Sequence, residues 1–146
     1  MARIKIALPE KFSFSCKIPI RITDINYGGH VGNDAFLSII HEARMQFLQH
    51  HGYSEMNLAG VSMIMSDAAI EFKGELLYGD VVTVSVTATD FSKAGFDLVY
   101  HLEKITGSDK KTVGTAKTGM ICYNYDTKKI VAIPEEAMKK LTEEKT

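Results

Sequence analysis

Apolar and polar residues alternate from residue 12 to 21, with Phe12, Phe14, Cys16, Ile18 and Ile20 on one side and Ser13, Ser15, Lys17, Pro19 and Arg21 on the other. This is the period of a strand with one buried face. Pro19 cannot donate to a ladder, so the strand is expected at a sheet edge or locally irregular. The period then lengthens. Phe36, Ile40, Ala43 and Phe47, widened by Leu37 and Ile39, form the apolar stripe of a helix over residues 34–51 that stops at Gly52. Residues 53–60 read as a short turn or half-helix leading to Gly60. From Val61 onward the period is that of strands, with β-rich runs at 61–72, 80–89, 95–105 and 112–125. Their connections are short, which makes them mostly antiparallel neighbours. In the middle two runs, Val82, Val84, Val86 and Ala88, then Phe96, Leu98, Tyr100 and Leu102, define one dry face and one largely wet face. Pro134 opens a short charged helix over 135–140 or slightly beyond, expected to be too polar around its circumference to form a core.

Strand, long helix, then four strands specifies an α+β domain in which an antiparallel sheet covers the helix. With 146 residues and 45% hydrophobic content, the chain is read as one domain, 1–146, with a sizeable core. The net charge is −1 and the basic residues are scattered. Neither a nucleic-acid footprint nor a basic membrane-binding face follows, so a small-molecule partner is expected. No stretch has the apolar length of a signal segment or a membrane span, and a cytoplasmic location is the expectation. Cys16 and Cys122 lie far apart without metal or redox spacing and read as buried thiols.

Polar chemistry concentrates between Thr23 and Asp34. Gly28, Gly29 and Gly32 mark a turn whose backbone needs positive φ or must approach something closely. Asn33 or Asp34 is the expected N-cap of the helix. The positive end of the helix dipole then points back at the turn, so Asp24, Asn26, His30 and Asp34 surround a place suited to a developing negative charge.

The run Thr23-Asp24-Ile25-Asn26-Tyr27-Gly28-Gly29-His30-Val31-Gly32-Asn33 resembles the Asp-x-Asp-x-x-Gly-His-Val-Asn-Asn signature of hotdog-fold acyl-CoA thioesterases related to hydroxybenzoyl-CoA thioesterase. Glu42-Ala43-Arg44 is similar to the Glu-Ala-Arg ending of the helix in that family, and the later turns fall where the family has comparable ones. The resemblance covers nearly the whole chain. It implies a hotdog fold, a homodimer or dimer of dimers with sites between subunits, and an acyl-CoA or acyl-carrier-protein thioester as substrate. It also implies that backbone N–H groups of Gly32, Asn33 and Asp34 polarise the thioester carbonyl. The chain departs from the signature at Asn26, where the family carries its second Asp. An amide can orient water or a carbonyl but cannot accept a proton.

Asp34 ranks first as the replacement base and His30 second, with Asp24 and Glu42 behind them. Plant acyl-carrier-protein thioesterases resemble the loop as well and support His30. Tyr27, Gly28 and Gly29 are candidate substrate contacts. Ser66 and Asp67 could face the site from a partner subunit, and Lys93, with Lys110 and Lys111, could meet the CoA phosphates. Each residue has a structural alternative. Asp34 could be a plain cap, worth about 1 kcal/mol, His30 could bond the turn backbone, Asn26 could tether the loop, and Glu42 and Arg44 could be a charge arrangement at the helix surface or dimer interface. Met56, Met63 and Met65 would give an adaptable apolar lining or simply fill the core. The reading calls for no metal and no cofactor. Thioester hydrolysis is the expected activity; thioester binding without hydrolysis is the alternative, and a hotdog dehydratase or hydratase ranks lower.

Overall fold

The alternating segments pair into one antiparallel sheet. Its strands are β1 (Phe14–Pro19), β2 (Ser62–Phe72), β3 (Val81–Thr89), β4 (Gly95–Thr106) and β5 (Asp109–Asn124), in the order β1-β3-β4-β5-β2, with the two-residue β6 (Lys129–Ile130) on β5. The computed structural model describes residues 2–142. Pro19 lies on β1, an edge strand, where its missing donor costs no ladder bond. β2 forms the other edge and carries a bulge between Met65 and Asp67. Among the described residues no helix is long and apolar enough to cross a membrane.

The sheet wraps helix α1 (Asn33–His50) with the residues that the strand period assigns to the inner face. Val82, Val84, Val86, Leu98, Tyr100, Leu102, Ala116, Met120 and Cys122 are buried against Phe36, Ile40, Ala43, Phe47 and Leu48. Each large apolar side chain buried in this way contributes about 1.5–3 kcal/mol. The first turn of α1 packs tightly on the sheet through Phe36. The Phe36 ring meets that of Phe72 edge-on at 5.2 Å, and a Cβ built on Gly114 of β5 would lie 2.8 Å from Phe36 Cε1.

Two expectations are corrected here. Arg44 is not at the helix surface; it is buried, with Nη1 donating to the Tyr100 hydroxyl at 3.3 Å and Nε 3.4 Å from Glu55 Oε2. Tyr100 in turn hydrogen-bonds Thr118 at 2.7 Å, and Glu55 Oε1 meets His41 Nε2 at 2.7 Å. The guanidinium is held in the core by the Tyr100 hydrogen bond and the nearby Glu55 charge, while its buried Nε makes no hydrogen bond among the described residues. The closing helix α2 (Glu135–Thr142) also joins the core, since Ala137 and Leu141, four residues apart, fall on one face and are fully buried.

The outer face of the sheet is drier than its composition implies. The segment before β1 crosses it: Ser13 Oγ lies 3.4 Å from the Val86 carbonyl, Phe12 stacks on His101 at 6.1 Å, and the Ile6 N–H donates to Glu71 Oε1 at 2.7 Å. Val99 and Thr115 on this face are buried. The Ile6 donor is the main reason that the Glu71 carboxyl is held below the ordinary carboxylate range.

Replacing Gly114 with Ala forces Phe36 out of its seat. The expected cost is about 1–3 kcal/mol, the range for overpacking, read as a lower denaturation midpoint in urea with an unchanged m-value.

Candidate active site

The loop before α1 is held by a carboxylate that the sequence offers as a base. Residues Ile22–Asp24 form one 3-10 turn, in which Asp24 is 6% exposed and its Oδ2 accepts the Arg21 N–H at 2.8 Å while Oδ1 lies 3.5 Å from Arg21 Nη2. The Asp24 carbonyl accepts the N–H of Gly32 at 3.3 Å. Asp24 therefore ties both ends of the loop, through its side chain to Arg21 and through its carbonyl to Gly32. The Arg21-x-x-Asp24 spacing was the sequence signal for this staple.

Within the loop, Asn26 organises the turn. Its Oδ1 accepts the Gly28 N–H at 2.9 Å, its carbonyl accepts the Gly29 N–H at 3.1 Å, and its own N–H donates to the His30 carbonyl at 2.9 Å. This is the local side-chain-to-backbone bonding that favours asparagine in turns. Gly29 sits at φ 83°, a conformation that a Cβ would strain. Val31 then anchors the loop by donating to the Leu76 carbonyl at 2.9 Å.

His30 is half-buried, and its Nδ1 lies 3.2 Å from the Val31 carbonyl. A carbonyl only accepts, so in the neutral ring Nδ1 carries the hydrogen and Nε2 holds the lone pair. A Cβ on Gly28 would lie 3.2 Å from Asn26 Oδ1 and 3.4 Å from His30 Nε2. A Cβ on Gly32 would lie 2.8 Å from Asp34 Oδ1 and 3.5 Å from Asn26 Nδ2. The two glycines thus let side chains approach the loop backbone closely, Asn26 and His30 at Gly28, and Asn26 and Asp34 at Gly32.

The helix start differs from expectation. The N-cap is Gly32, not Asn33 or Asp34, and no side chain caps it. Gly32 is buried between Asp34 and Asn26, has its N–H bonded to Asp24 and gives its carbonyl to Phe36 N–H at 3.0 Å. Its N–H is consequently not free for a ligand, which corrects its assignment as a carbonyl-polarising donor. The N–H groups of Asn33, Asp34 and Ala35 have no acceptor among the described residues. They form the positive end of an 18-residue helix.

The remaining expected residues lie elsewhere. Tyr27 is in the loop, but its side chain is fully in solvent. Ser66 and Asp67 sit at the β2 bulge, where Ser66 Oγ is 2.8 Å from Asp67 Oδ1 and 3.1 Å from the Gly119 carbonyl, and Asp67 is 4.0 Å from Lys117. Lys93 is exposed on the β3–β4 hairpin, close to the Ser66 and Asp67 end of the sheet. Within one chain none of these three joins the loop. Burial pushes the thiols of Cys16 and Cys122 up to about 11, which removes them as nucleophiles near neutrality.

The sequence model of the thioesterase-like superfamily matches residues 20–141. The chain belongs to that superfamily. A putative esterase from Aquifex aeolicus (strain VF5) is 29% identical over 115 residues, covering 77% of this chain and 85% of that protein. Among solved structures, a 1,4-dihydroxy-2-naphthoyl-CoA thioesterase from Synechocystis superposes with a TM-score of 0.78 at 21% identity, covering 88% of this chain and 94% of the other. The 4-hydroxybenzoyl-CoA thioesterase from Pseudomonas sp. strain CBS-3 gives 0.79 at 14% identity, covering 89% and 99%. At these identities the structures establish the fold, and it is the hotdog fold.

Gly28→Ala tests this close approach directly. The added methyl stands between Asn26 Oδ1 and His30 Nε2, in a backbone conformation that alanine can adopt. The expected outcome is loss of ligand or substrate turnover with the circular dichroism spectrum and denaturation midpoint nearly unchanged.

Proposed function

We propose that this protein hydrolyses acyl-CoA or acyl-carrier-protein thioesters, with water activated at the start of α1. The observation that carries the reading is an imidazole whose Nδ1 is turned to a carbonyl, His30, in the short glycine-rich loop that leads directly into an uncapped helix start. Water attacking the thioester carbon gives its proton to Nε2. The oxyanion that forms is held by the N–H groups of Asn33, Asp34 and Ala35, the preorganised donors that such a step requires. When the C–S bond breaks, the imidazolium returns the proton to the leaving sulfur. Asn26, whose Oδ1 is occupied by Gly28, keeps Nδ2 as a donor for the carbonyl or the water. His30 is preferred over Asp34 because a carboxylate beside the oxyanion opposes the charge that develops there.

A homodimer completes this reading. The β2 edge exposes Met65, Ser66, Asp67 and Ala68, and an open edge is where a second copy can add a strand. Such pairing brings Ser66 and Asp67 of one copy toward the loop of the other. Lys93, Lys110 and Lys111, all exposed, then supply charge for the CoA phosphates, and the enzyme works in the cytoplasm. Thioester binding without hydrolysis is the second reading, favoured by the role of Asn26 as a tether of the loop.

Thiol release from an acyl-CoA panel separates these readings. His30→Gln is expected to lower kcat by about 10²-fold or more, the contribution of a general base. Unchanged kcat in His30→Gln together with its loss in Asp34→Ala moves the base to Asp34. A wild type inert on every substrate, with activity gained in Asn26→Asp, establishes the binding protein instead.

A further inference from the structure

We infer that the acyl group taken by this site is a long, flexible aliphatic chain lying in the trough between α1 and β2. This rests on the thioester reading above. β2 is the outermost strand, so the inner-face side chains Phe72, Ile70, Ala68 and Met65 have strand β5 on one side only. Phe72 is 52% and Met65 40% exposed. Opposite them on α1, Leu37, His41 and Met45 recur every fourth residue and so form one row. Leu37 and Met45 are also exposed.

The trough begins at the candidate site, where Phe72 touches Phe36 in the first turn of α1. It ends in a cavity of about 410 Å³ whose lining includes Met45, Met56, Met63, Met65 and Tyr125. Four of the chain's seven methionines line that cavity. From Asn33 to Met45 the helix rises about 18 Å, the reach of an extended acyl chain of about 14 carbons. The one polar step is the His41–Glu55 pair, and both Glu55 oxygens are already engaged, by His41 and Arg44. Unbranched, polarisable methionine suits a chain of many conformers. An aromatic acyl group, such as those in the names of the two thioesterases above, would end near Phe36 and Phe72 and leave the methionine end empty. A second copy added to the β2 edge bonds in the plane of the sheet and brings its own α1 to the same face, which would wall the open side of the trough.

The test measures kcat/KM for straight-chain acyl-CoA esters from butanoyl to hexadecanoyl, with benzoyl-CoA and 4-hydroxybenzoyl-CoA, all below their micelle concentrations. Non-hydrolysable thioether analogues are titrated calorimetrically in parallel. At a ceiling of about fourfold per buried methylene, kcat/KM is expected to rise about 100-fold or more toward 12–14 carbons, with both aromatic esters below dodecanoyl-CoA. Met45→Trp, which fills the far end, is expected to move the optimum to shorter chains. Turnover without length dependence, or with an aromatic ester leading, overturns the trough and leaves hydrolysis standing. Thioethers that bind with the expected length dependence while no ester is cleaved uphold the trough and overturn hydrolysis.

Discussion

The site depends on how closely the first turn of α1 can approach the sheet. Phe36 lies over Gly114 because that position of β5 has no side chain, and the same ring is braced by Phe72 on β2. Packing of this kind fixes the N-terminus of the helix, and with it the direction of the free N–H groups that precede Phe36. The loop is then closed onto a fixed end. Asp24 holds its two ends through a side chain and a carbonyl, and Val31 fastens it to Leu76. Chemistry at the helix start is thus positioned by contacts that involve no reactive group.

A second constraint acts farther along α1. Arg44 is buried at the level of Tyr100 and Thr118, and among the described residues its charge is balanced by Glu55, which also meets His41. The cation of this pair is buried and the carboxylate half-buried, so the pair adds little net stability, but losing Glu55 is costly because an uncompensated buried charge remains. Burial raises the Tyr100 hydroxyl above its ordinary pKa, while the neighbouring Arg44 works against that shift. The network therefore fixes the rotation of the helix about its axis. That rotation decides that Leu37, His41 and Met45 face β2.

The sequence carried most of the fold. The alternation from Phe12 to Ile20, the stripe from Phe36 to Phe47 and the four later runs reappear as β1, α1 and β2–β5, because burial of one face is a local pattern with a period. What did not show locally was whatever depends on a distant partner. Arg44 looked like a surface charge because Tyr100 and Glu55 are 56 and 11 positions away and their convergence is a product of packing. Up to Lys11 the segment before β1 carried no period, and Phe12, which the alternation put with the buried face, stacks on His101 instead; together they cover the side of the sheet that holds Val99 and Thr115. In α2, two buried residues among charged ones gave too narrow a stripe to be read as core. At the site, the glycines, Asn26, His30 and Asp34 were visible as a cluster, whereas the cap was misplaced. Propensity favoured a side-chain cap at Asn33 or Asp34, but the buried position between Asn26 and Asp34 has room only for Gly32.

That misplaced cap bears on the chemistry. A serine or aspartate at the N-cap would occupy the first N–H groups of the helix with its own oxygen. Glycine leaves them open and stabilises the helix less, so the helix start relies on Phe36 and on Asp24 instead of on a cap. Asn26 fits the same economy of charge. A carboxylate at that position would add a negative charge close to Asp34 and beside the donors of Asn33 to Ala35. The neutral amide gives up basicity there and with it the repulsion that a second anion would exert on the oxyanion of the proposed hydrolysis. In the hydrolysis proposed above, proton transfer is assigned to the group in the cluster that accepts a proton without bringing a negative charge, the Nε2 of His30, whose Nδ1 faces the Val31 carbonyl.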